Sequence, residues 1–284
     1  KDGLVRLPDP DKDPDGFMRA YARCERRKVE MERRQEAGSL RAMIALWKQS
    51  PDFTKKAAST RSLYAHMIEQ VASLMEGATL QTIEQRDVRL MMDKLATTAG
   101  KANMMKRTLS ALYRWAIKRG YATTNPCAEI EEFEQGEHEA WPDHILRAAL
   151  ESDDDKFRLA VKVYLYTGQR SGDCCRMGPQ SIEGDLIRVR QQKTGKVLLI
   201  PLHPDLETEM AKHPIRGLTL LTNSHGRPLT KQTMAAWCDR FGKKFGVKLV
   251  PHGLRKNAVN ELLRAGCSVA ETAAITGQTY QLVE

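Results

Sequence analysis

The sequence predicts a mainly α-helical chain with a small β component, built as an all-helical domain followed by an α+β domain. Three observations carry this. Between Ser39 and Tyr121, apolar residues recur at helical spacing in successive runs. From Trp141 onward, further helical runs are interrupted by two short apolar segments flanking the turn Gln191-Gln192-Lys193-Thr194-Gly195-Lys196. Between these regions lies a stretch dense in glutamate, residues 127–140. At 284 residues and 41% hydrophobic content, the chain can bury two cores.

Composition narrows the partners. Lys and Arg number 45 against 36 Asp and Glu, a formal charge of +9, which suits a polyanion. No apolar run approaches the roughly 18 residues of a membrane span, and no signal peptide opens the chain, so a cytoplasmic protein is expected. The chain starts at Lys1 without a methionine and stops within a pattern at Glu284, and a fragment of a longer protein is expected. Cys24, Cys127, Cys174, Cys175, Cys238 and Cys267 show no C-x-x-C spacing and read as reduced, buried thiols. The seven histidines form no H-x-H or H-E-x-x-H cluster, so neither a metal nor another cofactor is expected.

Taken in order, residues 1–38 form an N-terminal extension. Gly3 to Leu7 is a candidate strand, Pro8 to Asp15 a turn-rich acidic segment, and Phe17 to Gln35 a helix rich in Arg and Glu, closed by Gly38. That helix reads first as a solvated, salt-bridged one; an arm along DNA or a neighbouring subunit is the alternative. Residues 39–126 carry four helices: one capped by Ser39 with Leu40, Ile44 and Trp47; a second from Ser59 or Thr60 with Leu63, Met67, Val71 and Leu74, ended by Gly77. The third runs from Gln85 to Ala96 with Val88, Met91, Met92 and Leu95, and the fourth from Lys101 to Arg119 with Met105, Leu109, Leu112 and Ile117. Such a set forms a small bundle with methionine as core filler. Lys55, Lys56, Arg61, Lys101, Lys106, Arg107 and Arg114 fall near helix ends and on polar faces, where they can grip phosphates without reading bases; ordinary charged faces look the same.

Residues 127–140, with Glu129, Glu131, Glu132, Glu134, Glu137 and Glu139, read as an acidic linker. Residues 141–284 then give a helix start at Trp141-Pro142-Asp143, an apolar helix from Phe157 to Tyr166 and a hairpin of 186–189 with 197–200. A strand over Leu218 to Leu221, a helix from Thr230 to Phe245, another after Pro251 and an apolar run from Val269 to Ile275 complete it.

The candidate chemistry is spread along this second domain. Arg170 follows a glycine break in Thr167-Gly168-Gln169-Arg170 and opens a helical piece containing Asp173; a helix N-terminus favours an anion, and arginine adds a bidentate fork. Lys193 sits at the hairpin tip. His252 and Arg255, three apart at a helix start, share a face. Gly277-Gln278 follows the last apolar run. Each signal alone is weak. In this order and context, the chain from about Ser39 to Glu284 resembles the tyrosine recombinase, or phage integrase, family.

The resemblance implies a helical core-binding (SAM-like) domain followed by an α+β catalytic domain, and metal-free DNA strand exchange through a covalent 3′-phosphotyrosine. By position, Arg170 and Arg255 resemble the arginines that hold the scissile phosphate. Lys193 resembles the lysine that protonates the leaving 5′-oxygen, His252 the acid/base histidine, and Asp173 the supporting acid. Gln278 stands where the family has histidine or tryptophan; an amide donates a hydrogen bond but exchanges no proton. The family's nucleophilic tyrosine falls roughly eight or nine residues beyond this pair, past Glu284, and Tyr280 lies too close to Gln278 to replace it.

The implied partners are double-stranded DNA carrying inverted repeats, a homotetramer on that DNA, and accessory directionality or bending factors, in a bacterial cytoplasm or phage-infected host. A catalytically inactive DNA-binding relative, acting as a regulator or architectural protein, is the alternative. A metal-dependent nuclease is disfavoured because no paired carboxylates accompany the constellation.

Overall fold

The computed structural model describes residues 7–213 and 217–283, with the side chains of all these but 27–37. The strand expected over Gly3 to Leu7 lies, except for Leu7, outside the described residues. The chain divides into two compact units, Lys1–Gly136 and Glu137–Glu284.

The first unit is helical: α1 (Pro14–Ala37), α2 (Leu40–Gln49), α3 (Pro51–Thr54), α4 (Ala58–Leu74), α5 (Gln85–Asp93) and α6 (Ala99–Lys118). Ser39 caps α2, its Oγ accepting from the Ala42 N–H at 3.2 Å. The core gathers Leu40, Ile44 and Trp47 with Ile68, Val71, Met105, Leu109 and Leu112. The apolar face of α4 is rotated from the expected one. Met67, Ile68, Val71 and Ala72 are buried, while Leu63 and Leu74 stay exposed, because that face packs on α6. Ile117 is likewise exposed near the end of α6, where Trp115 and Ala116 turn inward instead. The third helix ends at Asp93, short of the expected Ala96, and a 3₁₀ turn over Ala96–Thr98 leads into α6.

The acidic stretch behaves differently from a free linker over its first half. Cys127 and Ile130 are buried in the helical core. The Asn103 side chain exchanges two bonds with the Phe133 backbone, at 2.8 and 2.9 Å. Lys106 Nζ donates to the Ile130 carbonyl at 2.6 Å, and Arg107 pairs with Glu132. Like charges resist packing only when uncompensated; here apolar residues alternate with the glutamates and two cations of α6 meet Glu132.

The second unit comprises α7 (Asp143–Leu150), α8 (Asp155–Thr167), α9 (Ser171–Cys174), β1 (Ile182–Glu183), β2 (Leu186–Arg190), β3 (Val197–Pro201), α10 (Pro204–Ala211), α11 (Lys231–Lys243), α12 (Pro251–Arg264) and α13 (Val269–Thr276). The strands form an antiparallel sheet in sequence order, with Ile187 opposite Ile200 and Arg190 opposite Val197. Helix α8 is the hub: Ala160, Val161 and Val163 are fully buried, and it packs on α7, α10 and α12. Among the described residues, none of 218–221 forms a strand. Leu218 is exposed, Leu220 N–H bonds the Met177 carbonyl, and the adjacent residues Leu220 and Leu221 are both buried, so the alternation a strand needs is absent.

Between α8 and α10 sits a buried carboxylate. Glu209, 1% exposed, accepts from Arg158 at 2.9 Å, Lys162 at 3.0 Å and His213 at 3.2 Å. Burial acts to raise its pKa, but the bonds from Arg158, Lys162 and His213 outweigh it and hold the carboxyl at about 2. Cys127, Cys174, Cys175 and Cys238 are buried and unpaired, and no described helix is long and apolar enough to cross a membrane.

Candidate active site

Gly168 makes the geometry possible. It ends α8 in the left-handed conformation at φ +60°, and a Cβ there would lie 3.0 Å from Thr276 Cγ2 and 3.2 Å from Ala258 Cβ. The chain therefore turns sharply against α12 and α13 and delivers Arg170 as the N-cap of α9.

Three side chains then converge on one backbone atom. The Thr276 carbonyl, at the C-terminal end of α13, accepts from Arg255 Nη2 at 3.2 Å, Gln191 Nε2 at 3.1 Å and Gln169 Nε2 at 3.4 Å. A helix C-terminus carries partial negative charge, so it suits this gathering of donors. Gln191 links the parts further: Nε2 donates to Gln169 Oε1 at 2.8 Å, while Oε1 accepts from Arg170 at 3.2 Å and Thr194 at 2.7 Å. Gly277 is required beside it, since a Cβ there would come within 2.5 Å of Gln191 Nε2.

Arg255, on the first turns of α12, is 2% exposed and donates to two carbonyls, Gly168 at 2.8 Å and Thr276. Among the described residues, no carboxylate bonds it. Burial first, and the charge of Arg170 second, push its pKa down to about 10, with Cys174 and Asp173 partly offsetting them. Two guanidiniums thus lie within each other's field at a place that lacks a direct anionic partner. Asp173 is committed elsewhere: its Oδ1 accepts from Arg176 at 2.7 Å and from the Gln192 N–H at 2.9 Å, tying α9 to the base of the hairpin turn. Lys193 is exposed on that turn, one residue further on. Gln278 is half-buried, and its Oε1 is buried without a hydrogen-bond partner.

His252 opens α12 beside these groups. It is exposed, yet desolvation of its ring, followed by the charges of His138, Arg255, Lys256 and Arg170, pushes its pKa down, which favours the neutral imidazole. The turn before it is packed by the chain entering α7. Trp141 and Asn257 exchange two bonds at 2.8 Å, Trp141 Nε1 donates to Val250 O at 2.9 Å, and a Cβ on Gly253 would meet Glu139 O at 2.6 Å.

The structure thus brings Arg170, Arg255, His252 and Asp173 together, with Lys193 on the adjoining turn. Sequence reasoning missed Gln169, Gln191 and Asn257. Each is a buried amide with at least one partner 22 to 116 residues away, and no local spacing marks such pairs. The tyrosines of α8 serve the interior: Tyr164 is buried against Ser171 and Cys175, and burial raises its pKa.

The basic residues of the first unit separate into two kinds. Lys55, Arg61, Lys101 and Arg114 are exposed, and Lys56 lies over the Tyr64 ring at 5.6 Å. Arg61 also donates to the Thr54 carbonyl at 3.0 Å. Lys106 and Arg107 are occupied by Glu132.

Residues 142–279 match the model of the phage integrase family. The chain is 30% identical over 199 residues to the integrase of Enterobacteria phage 434 and 29% identical to that of Escherichia phage lambda, covering 65% of this chain in each case. It spans 56% of the length of each of these relatives. Its fold is similar to that of a lambda integrase tetramer bound to a Holliday junction, with a TM-score of 0.71 at 23% identity over 86% of this chain and 75% of that one. It is also similar to that of the Tn1549 transposon integrase in complex with transposon right end DNA, with a TM-score of 0.69 at 15% identity over 86% of this chain and 93% of that one.

Proposed function

We propose, from the match of residues 142–279 to the model of the phage integrase family, that the protein is a site-specific DNA recombinase of a mobile genetic element. The observation that carries the reading is the pair Arg170 and Arg255, drawn together by the Gln191 and Thr276 network with no carboxylate bonded to either. Holding two like charges this close costs stability unless an anion joins them, and a scissile phosphodiester is that anion.

In this mechanism Arg170 and Arg255 fork onto the non-bridging oxygens. They offset the charge that builds as a tyrosine oxygen attacks phosphorus and the bond to the 5′-oxygen breaks. Lys193, exposed on the turn that Asp173 anchors at Gln192, gives its proton to that leaving oxygen. His252, whose pKa is pushed down by desolvation and the neighbouring cations, takes the proton from the attacking hydroxyl, and Gln278 donates a hydrogen bond to the phosphate without proton exchange. The product is a 3′-phosphotyrosine and a free 5′-hydroxyl; attack by a second strand's 5′-hydroxyl reverses the steps. The nucleophile is assigned to the family's position beyond Gln278, past Glu284, and cleavage is therefore assayed on protein carrying that segment.

The wider partners follow the same reading: duplex DNA with inverted repeats, a tetramer of this protein on it, and accessory bending factors. Lys55, Lys101 and Arg114, with Lys56 over the Tyr64 ring and Arg61 on the Thr54 carbonyl, are the phosphate contacts of the first unit, while Lys106 and Arg107 must first leave Glu132.

The test is a suicide substrate whose cleaved strand cannot be religated. A covalent adduct that survives denaturation is expected. Lys193→Ala should slow its formation by about 10²–10³-fold, and a 5′-bridging sulfur, which leaves without a proton, should restore the rate. Equal slowing on both substrates would remove Lys193 as the acid; no adduct from the unaltered protein would leave the inactive, DNA-binding alternative.

A further inference from the structure

His138 lies outside every element and outside the sequence constellation, yet it stands against the active-site imidazole. Its ring centroid is 5.6 Å from that of His252, with the planes crossing at 62°. The segment carrying it is fixed on both sides. Glu137 pairs with Lys256 at 2.7 Å, and Trp141 is locked to Asn257 and Val250. Glu139 O occupies the space that a side chain on Gly253 would need. The five-residue span from Glu137 to Trp141 thus meets α12 at both ends, by an exposed ion pair at one and by buried bonds at the other, with the His138 ring against His252 between them.

We propose that His138 is a positioning residue of the phosphate site, packing edge-to-face on His252 so that the plane of that imidazole is set before DNA arrives. The proposal rests on the reading of His252 as the proton-transfer group. An exposed histidine at the mouth of a helix has rotamers to choose from, and proton transfer needs one of them. An edge-to-face neighbour selects it at little cost. His138 does a second thing. The charged groups facing His252 are Arg170 from α9, Arg255 and Lys256 from α12, and His138 from the entering segment, with Glu137 engaged by Lys256. Among these groups, His138 stands first in opposing the charging of His252, beside the desolvation of the ring itself.

The experiment compares the unaltered chain with His138→Ala and His138→Phe. The His252 ring signals are followed by NMR across pH 5 to 9, and cleavage rates of the full-length protein are measured over the same range. Phenylalanine keeps the ring contact and drops the charge; alanine drops both. The His252 titration midpoint is expected to move to higher pH in both variants, with the acid limb of the cleavage profile following it. At pH 8, His138→Ala is expected to cleave more slowly with unchanged DNA affinity, and His138→Phe to restore the rate. An unmoved midpoint together with equal pH 8 rates in all three proteins overturns the proposal. A moved midpoint with an unmoved cleavage profile keeps the contact and instead removes His252 as the proton-transfer group.

Discussion

Arg255→Met separates the cost of the site from its use. At pH 7 the guanidinium is charged in the folded and the unfolded chain. The folded chain holds that charge less readily, because burial and Arg170 pull its pKa well below the ordinary guanidinium value, to about 10. At 1.36 kcal/mol per pH unit this is a penalty of about 3 kcal/mol on the folded state, which methionine removes while filling much of the same volume. Against it stands the Gly168 carbonyl, which loses its donor at 2.8 Å and costs about 1–3 kcal/mol if left unpaired. Thr276 O keeps Gln191 and Gln169. The expected net change in a urea titration at pH 7, without phosphate, runs from none to a gain of about 2 kcal/mol. The penalty is fully present below the folded pKa and fades as pH rises past about 10 toward the ordinary guanidinium value, so the advantage of the variant shrinks in alkali. Inorganic phosphate should stabilise the unaltered chain, by about 2.7 kcal/mol at a hundred times its dissociation constant, and leave Arg255→Met unmoved. A loss of about 3–5 kcal/mol in the variant, the cost of breaking a satisfied buried ion pair, or equal stabilisation of both by phosphate, would refute the picture of a cation awaiting an anion.

Three further outcomes follow. Gln191→Leu strands the buried Gln169 Oε1 and releases Arg170 and Thr194; a stability loss of about 1–3 kcal/mol and a larger fall in cleavage rate than in DNA affinity are expected, read by urea unfolding and by single-turnover cleavage beside a binding titration. Gly168→Ala forces a side chain into the left-handed region against Thr276 and Ala258; urea unfolding should show a loss of at least about 1–2 kcal/mol. Glu209→Gln gives up a carboxylate held at about 2 instead of its ordinary 4.5, hence about 3 kcal/mol at pH 7. That contribution is complete above pH 4.5 and fades as pH falls toward 2, so the unfolding midpoints of the two proteins should converge in acid.

Helical spacing placed α2, α5, α6, α8, α11 and α12 to within a few residues because each carries its own start or stop signal, as Ser39, Gly168 and Thr230 show. The same spacing misjudged which side of α4 faces inward, since Leu63 and Leu74 fit a stripe as well as Ile68 and Ala72 do, and only the packing on α6 decides. It also overrated the repulsion between glutamates at 127–133, whose compensation comes from Asn103, Lys106 and Arg107 on another helix. In the site, side chains with recognisable chemistry at local spacing, His252 with Arg255 and Arg170 after Gly168, were visible. The amides that aim them were not. Gln169, Gln191 and Asn257 join segments 21 to 116 residues apart, and glutamine and asparagine are common enough that nothing local distinguishes these from solvated ones.

The atom on which Arg255, Gln191 and Gln169 meet is a main-chain oxygen, and every amino acid supplies one. No point substitution at position 276 can delete it, so the meeting point is indifferent to residue identity and sensitive only to where α13 stops. What the site is exposed to, then, is change in length. One residue inserted or lost between Ser268 and Gly277 would rotate the last carbonyl by about 100° and turn all three donors toward nothing. Tolerance scanning of this ten-residue span should therefore find many accepted substitutions on its solvent side and few accepted insertions or deletions anywhere along it.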